Sequence, residues 1–227
     1  NEVKALQPTV EGCLYCMDHM LAGSEDSRFE GHNLIFQDEI FNNAINRMKR
    51  MHNSAISENA DYSYRDETHL FNEGKLAIYI NGVWGAPMIS KQIDAKYALL
   101  PTDEGESMSC ISSGLGYVLG NSGNEEKEKA AVKFLKYILS KKVQTKILEK
   151  TEQIPANPDI SLESYKENKS RLYQAATLVL EADEKIEVPN NIWSAEQKDY
   201  FTETILDVLT GNPSIQEFEE NLENKQK

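Results

Sequence analysis

Cys13 and Cys16 stand three residues apart with Leu14 and Tyr15 between them, the spacing of a redox pair or of half a zinc site. A redox pair needs that spacing at a helix start just after a strand, in surroundings that lower a thiol pKa. A structural zinc site needs two more ligands, and Cys110 is the only other thiol. His19, His32, His52 and His69 are not spaced as ligand pairs. On one face of a helix, two small sulfur side chains are packing groups, and that is the favoured reading. Three cysteines cannot close a disulfide framework, and with the Cys13–Cys16 pair read as packing, neither metal nor cofactor is expected here.

The run Gly114-Leu115-Gly116-Tyr117-Val118-Leu119-Gly120 invites a dinucleotide reading, but its spacing is Gly-x-Gly-x-x-x-Gly. It also opens a strand instead of joining a strand to a helix N-terminus, so the phosphate cradle fails. No P-loop, His-Glu-x-x-His or Gly-x-Ser-x-Gly motif occurs. The 37 Asp and Glu residues leave a glycoside hydrolase with paired carboxylates as the alternative function, although no motif marks a pair.

Those 37 acids against 24 Lys and Arg give a formal charge of −13, which excludes a nucleic-acid partner that must be met with clustered cations. No apolar run approaches the roughly 20 residues that cross a bilayer. The chain opens on Asn1-Glu2-Val3-Lys4, with no charged-then-apolar leader.

The elements that would position any site read as helix-rich α/β. A first helix is expected from Glu11 to Leu21, ending at Gly23, followed by a polar turn from Ser24 to Gly31. A second begins near Gln37-Asp38 and carries Ile40, Phe41, Ala44, Ile45, Met48 and Met51 on one stripe. A third ends at Glu73, with Gly74 placed for a left-handed C-cap. Lys75 to Ile80 reads as a buried strand stopped by the Asn81-Gly82 turn. A short helix follows Pro87, and strands are expected at Tyr97 to Leu100 and, opened by glycines, at Ser112 to Leu119. Pro101 to Ser109 is a polar connection. Asn124 caps the clearest helix, which has Glu125, Glu126 and Glu128 at its start and Ala131, Phe134, Leu135 and Ile138 on one face. Lys141, Lys142 and Lys146 are exposed charges on the next helix. From Leu162 onward helices alternate with one irregular stretch, Val188 to Trp193.

The segment Leu70-Phe71-Asn72-Glu73-Gly74-Lys75-Leu76-Ala77-Ile78-Tyr79-Ile80-Asn81-Gly82-Val83-Trp84-Gly85 resembles the F-N-x-G-x-x-A-M-x-x-x-G-x-W stretch of the carbohydrate-binding proteins of ABC importers. These are the maltose and multiple-sugar binding proteins. The likeness continues in order: Tyr97 to Pro101, Gly114 to Gly120, the helix Lys129 to Leu135, the Ile154-Pro155-Ala156-Asn157 turn, and two tail segments near Val188-Pro189-Asn190 and Leu209-Thr210-Gly211. It covers essentially Phe36 to Lys225, and the opening helix more loosely.

The resemblance implies a type II periplasmic-binding-protein-like fold of two α/β lobes joined by a hinge, with ligand between them. This chain is expected to hold the C-terminal lobe in residues 1–100 and 140–227. Residues 101–139 would cross back to the N-terminal lobe. The implied function is non-catalytic binding of a sugar or oligosaccharide for delivery to a membrane permease. The chain is then a truncated C-terminal fragment of an extracellular or periplasmic protein, anchored to the membrane through an N-terminal signal missing here. Without its partner lobe, the segment 108–139 would pack on a second copy or fold onto its own lobe in a non-family position.

A sugar presents C–H faces and a rim of hydroxyls, so its site needs a flat aromatic and a few placed polar groups. The resemblance puts the stacking aromatic at Trp84, favoured over a core role. Trp193 matches a region that often supplies a second aromatic, and core and ligand roles stay open for it. Tyr15 and Glu11 match a segment that contributes an aromatic and a carboxylate, although packing or solvated surface is the favoured reading there. Asn81 is first a turn residue and second a hydroxyl partner.

Overall fold

The computed structural model describes residues 4–22, 38–53, 55, 62–102, 107–111 and 116–225. Four helices build the core: α1 (Val10–Ala22), α2 (Asp38–His52), α7 (Ala195–Thr210) and α8 (Ile215–Asn224). The stripe expected on α2 is the one it buries, with Phe41, Ala44, Ile45 and Met48 inside and Ile40 and Met51 at its margin. Phe218 of α8 lies at the centre, stacked on Phe41 and Tyr200 and packed against Phe201. Burying such aromatics is the main driving force for closing four helices around one centre.

Local signals set the helix ends. Ser63 opens α3 (Tyr64–Asn72) with a capping box to Asp66. Gly74 closes it at φ 70°, where Lys75 N–H bonds Leu70 O and Gly74 N–H bonds Phe71 O in a Schellman arrangement. Ser194 forms a second capping box with Gln197 at the start of α7, and Gly211 ends that helix at φ 104°. The first helix therefore runs one residue beyond the expected limits at each end; Gly23 and the turn 24–31 lie outside the described residues.

The strands differ more from expectation. Lys75–Ile80 is not a buried strand: only Leu76 bridges, in parallel with Lys4, and Ala77 and Ile78 N–H bond Lys4 and Ala5 carbonyls before pairing stops. The partner segment reaches Pro8, which has no N–H to extend a ladder, and then turns into α1. Tyr97–Leu100 and residues 116–120 form no strand, and residues 112–115 lie outside the described residues. The helix expected after Pro87 is a 3₁₀ turn, Val83–Met88, with Pro87 inside it.

One two-stranded parallel sheet occurs among the described residues, β1 (Met108–Ile111) with β2 (Glu184–Glu187), in the register Met108 to Glu184 and Ile111 to Glu187. Met108 is buried and β1 packs on α1. Just beyond β2, the 3₁₀ turn Pro189–Ile192 is pinned to α1 by buried Asp18, which accepts bonds from the N–H (2.9 Å) and the side-chain amide of Asn190.

Helices α4 (Glu125–Ile138) and α5 (Lys141–Thr151) follow, then α6 (Ser170–Glu181), which packs on the Val83–Met88 turn. Asn124 caps α4 as its sequence suggests, accepting from Lys127 N–H at 3.1 Å. Yet α4 buries no residue; Phe134 is 59% exposed and Val118 before it 93%. Within a single chain this segment remains an exposed apolar ledge. No described helix is long and apolar enough to cross a membrane.

Candidate functional site

Thr9 caps α1, its hydroxyl oxygen accepting from Gly12 N–H at 3.0 Å. The same hydroxyl donates to Glu67 of α3 at 3.4 Å, and Glu67 also receives the Ile80 backbone N–H. A single buried carboxyl thus joins the start of α1, the middle of α3 and the segment leading to Asn81. Burial pushes this carboxyl up to about 8, outweighing those two bonds, with repulsion from Glu11 adding to the rise.

Beyond Ile80 the chain turns at Asn81-Gly82. Asn81 Oδ1 accepts Gly82 N–H at 2.8 Å, and its amide nitrogen donates to the Tyr79 hydroxyl. The indole of Trp84 folds back over Gly82: a Cβ added there would lie 2.2 Å from the ring. Only glycine leaves room for that approach. Gly85 packs less closely on Asn81, where a Cβ would meet the side chain at 3.1 Å. Trp84 remains 45% exposed.

Tyr15 of α1 meets this indole edge-on, with ring centroids 5.7 Å apart and planes at 72°. Burial raises its phenol pKa, with Glu11 one helical turn earlier adding to the rise. The structure therefore brings Tyr15, Trp84 and Asn81 to one corner, with Glu11 beside Tyr15. Trp193 is elsewhere, 5% exposed and packed on Phe201 in the helical core. Sequence reasoning missed Tyr79, Thr68 and Glu67. Tyr79 sits two residues before Asn81, so a same-side reading of that segment was the available signal. Glu67 carries none, because one acid in a polar helix looks like surface.

Between α1, α2 and Glu67 of α3 lies a cavity of ≈ 20 Å³ lined by Cys13, Cys16, Glu67, Met48 and Ile80 among others. That is room for about one water and not for a sugar ring. Both thiols facing it are free, and burial raises their pKa values, that of Cys16 to about 12. They have the environment of packing groups and not of reactive ones. Among the described residues, no group of three or more His, Cys, Asp or Glu could hold a metal.

Residues 31–174 match the family described as bacterial extracellular solute-binding protein. The chain belongs to that family. Two solved structures share the fold of this solute-binding protein. A Streptococcus pneumoniae solute-binding protein in complex with the blood group A-trisaccharide superposes with a TM-score of 0.78 at 22% identity, over 98% of this chain and 58% of its own. The maltose/maltodextrin-binding domain MalE from Bdellovibrio bacteriovorus, bound to maltotriose, gives 0.70 at 20% identity, over 99% of this chain and 59% of its own. This solute-binding protein thus spans under two thirds of the length of the structures that it matches. No curated protein matches its sequence.

Proposed function

We propose that the chain is part of a non-catalytic sugar-binding subunit of an ABC importer, and that the Tyr15–Trp84 corner is its share of the ligand site. The observation that carries this reading is a half-exposed indole with a second aromatic standing edge-on beside it. A sugar's C–H face stacks on Trp84 while Asn81 and Glu11 meet rim hydroxyls. Trp193 acts from the core and does not touch the ligand. The sugars bound in the two solved relatives support an oligosaccharide as ligand.

In this reading residues 1–100 and 140–227 make one lobe, which also takes in the strand Met108–Ile111 through its pairing with Glu184–Glu187, and the rest of 101–139 serves a second. The exposed apolar face of α4 supports that division, since burying it against another lobe removes apolar surface from water. Ligand closes the lobes about their hinge, and the closed form docks on the permease. The protein works on the outer side of the cell membrane, held there by an anchor.

Calorimetry with a panel of oligosaccharides, combined with product analysis, tests this. Saturable binding without turnover is the expected result. A cleaved product, or no binding across the panel, overturns it.

A further inference from the structure

Thr68 donates its single hydroxyl proton to Tyr64 O at 2.7 Å, one turn back along α3. Its oxygen lies 2.9 Å from the Tyr79 hydroxyl, and with the threonine proton committed, the proton in that bond belongs to Tyr79. The tyrosine oxygen in turn accepts from the Asn81 amide, whose own oxygen holds Gly82 N–H. The result is a one-way relay from the Gly82 backbone to Asn81, to Tyr79, to Thr68 and into the frame of α3. Both ends of α3 are closed, by the Ser63–Asp66 box and the Gly74 cap, so the relay ends on a fixed element. Phe71 of the same helix packs on the Tyr79 ring at 5.6 Å and holds it in place.

At the other end stands the indole. Its ring lies directly on Gly82, the residue whose N–H the relay fixes. Other bonds hold the flanks and not the turn itself: pairing with residues 4–5 ends after Ile78, Ile80 N–H goes to Glu67, and Asn72 of α3 bonds Met88 O and Ser90 N–H beyond the indole.

We propose that Tyr79 is the positioning residue of the aromatic corner: its hydroxyl ties the Asn81–Gly82 turn to α3 and so sets where Trp84 stands. Tyr79 does not itself touch ligand. The effect on sugar affinity rests on the reading of Trp84 as the stacking surface; the effect on the indole does not.

The test replaces Tyr79→Phe, which keeps the ring and removes the hydroxyl, in the protein as the cell makes it. Acrylamide quenching, read as the difference from the matching Trp84→Phe protein, isolates Trp84; Trp193 is buried. The variant should keep its circular dichroism, show a more quenchable indole, and lose roughly three- to ten-fold in sugar affinity, the worth of an ordinary hydrogen bond. Thr68→Val should reproduce the quenching change and Thr68→Ser should restore the parent value. This pair also carries the test if Tyr79→Phe does not fold. A lowered melting temperature with unchanged quenching in these variants overturns the proposal. If quenching changes as expected while Trp84→Ala leaves affinity intact, Tyr79 still positions the indole and the ligand role of Trp84 is what fails.

Discussion

The phenol ring of Tyr15 stands edge-on to the indole of Trp84, centroids 5.7 Å apart and planes at 72°. One ring comes from the second turn of α1 and the other from the 3₁₀ turn after Gly82. Edge-to-face contact satisfies the quadrupoles of both rings, and the indole stays 45% exposed. The corner is thereby held without being closed.

Gly82→Ala should displace the indole without touching it chemically. A methyl group there would overlap the ring at 2.2 Å, so Trp84 must leave its place. We expect sugar affinity to fall nearly as far as in Trp84→Ala, with little change in far-ultraviolet circular dichroism. Calorimetry on the two variants side by side checks this.

Stability should decline as pH rises from about 4 to about 8. Burial raises Asp18 to about 6 and Glu67 to about 8, so across that window the native state holds more protons than the unfolded chain. Each raised carboxyl stabilises the fold below its unfolded value, and the benefit is lost as pH climbs through its folded one. Glu67→Gln imitates the protonated form, keeping an acceptor for Ile80 N–H. Its melting temperature should exceed the parent's at pH 8 and converge with it near pH 4, as read by a series of thermal melts.

Trp193→Ala should cost stability by about 3–5 kcal/mol, as removing a buried aromatic does. The ring packs on Phe201 inside the helical core. The milder Trp193→Phe should fold and bind sugar with unchanged affinity. A large loss of binding by a folded Trp193→Phe would return this residue to the site.

The chain as it stands here should self-associate through α4. Phe134 is exposed on that helix, on the stripe it shares with partly buried Ala131, Leu135 and Ile138, and such an uncovered apolar stripe favours association. Light scattering should report concentration-dependent growth in mass, and Phe134→Glu should reduce it.

How much of this was legible follows from where each signal resides. The helices announce themselves locally: the α2 stripe, the Asn124 cap and the Gly74 terminator all act within a few residues and appear where the sequence puts them. Strands depend on partners. Lys75–Ile80 has the apolar character of a strand, but its neighbour runs into Pro8. Glu184–Glu187 falls where only helices are expected before Val188, yet pairs with Met108–Ile111 because α1 supplies the packing for that sheet. At the site, Trp84 and Asn81 belong to one recognisable word, whereas the meeting of Trp84 with Tyr15 exists only once α1 and α3 are joined through Glu67. The relay through Tyr79 is likewise a product of three-dimensional closure.

The most direct test of the central claim is the sugar affinity of Trp84→Ala, measured by calorimetry with an oligosaccharide that the parent protein binds. Losing the stacking face should weaken binding by about ten-fold or more, since such contacts contribute on the order of 1 kcal/mol beyond buried area. Adding Tyr15→Ala should cost less than its effect alone, because the two rings form one surface. A dissociation constant unchanged by Trp84→Ala in a folded protein would contradict the account.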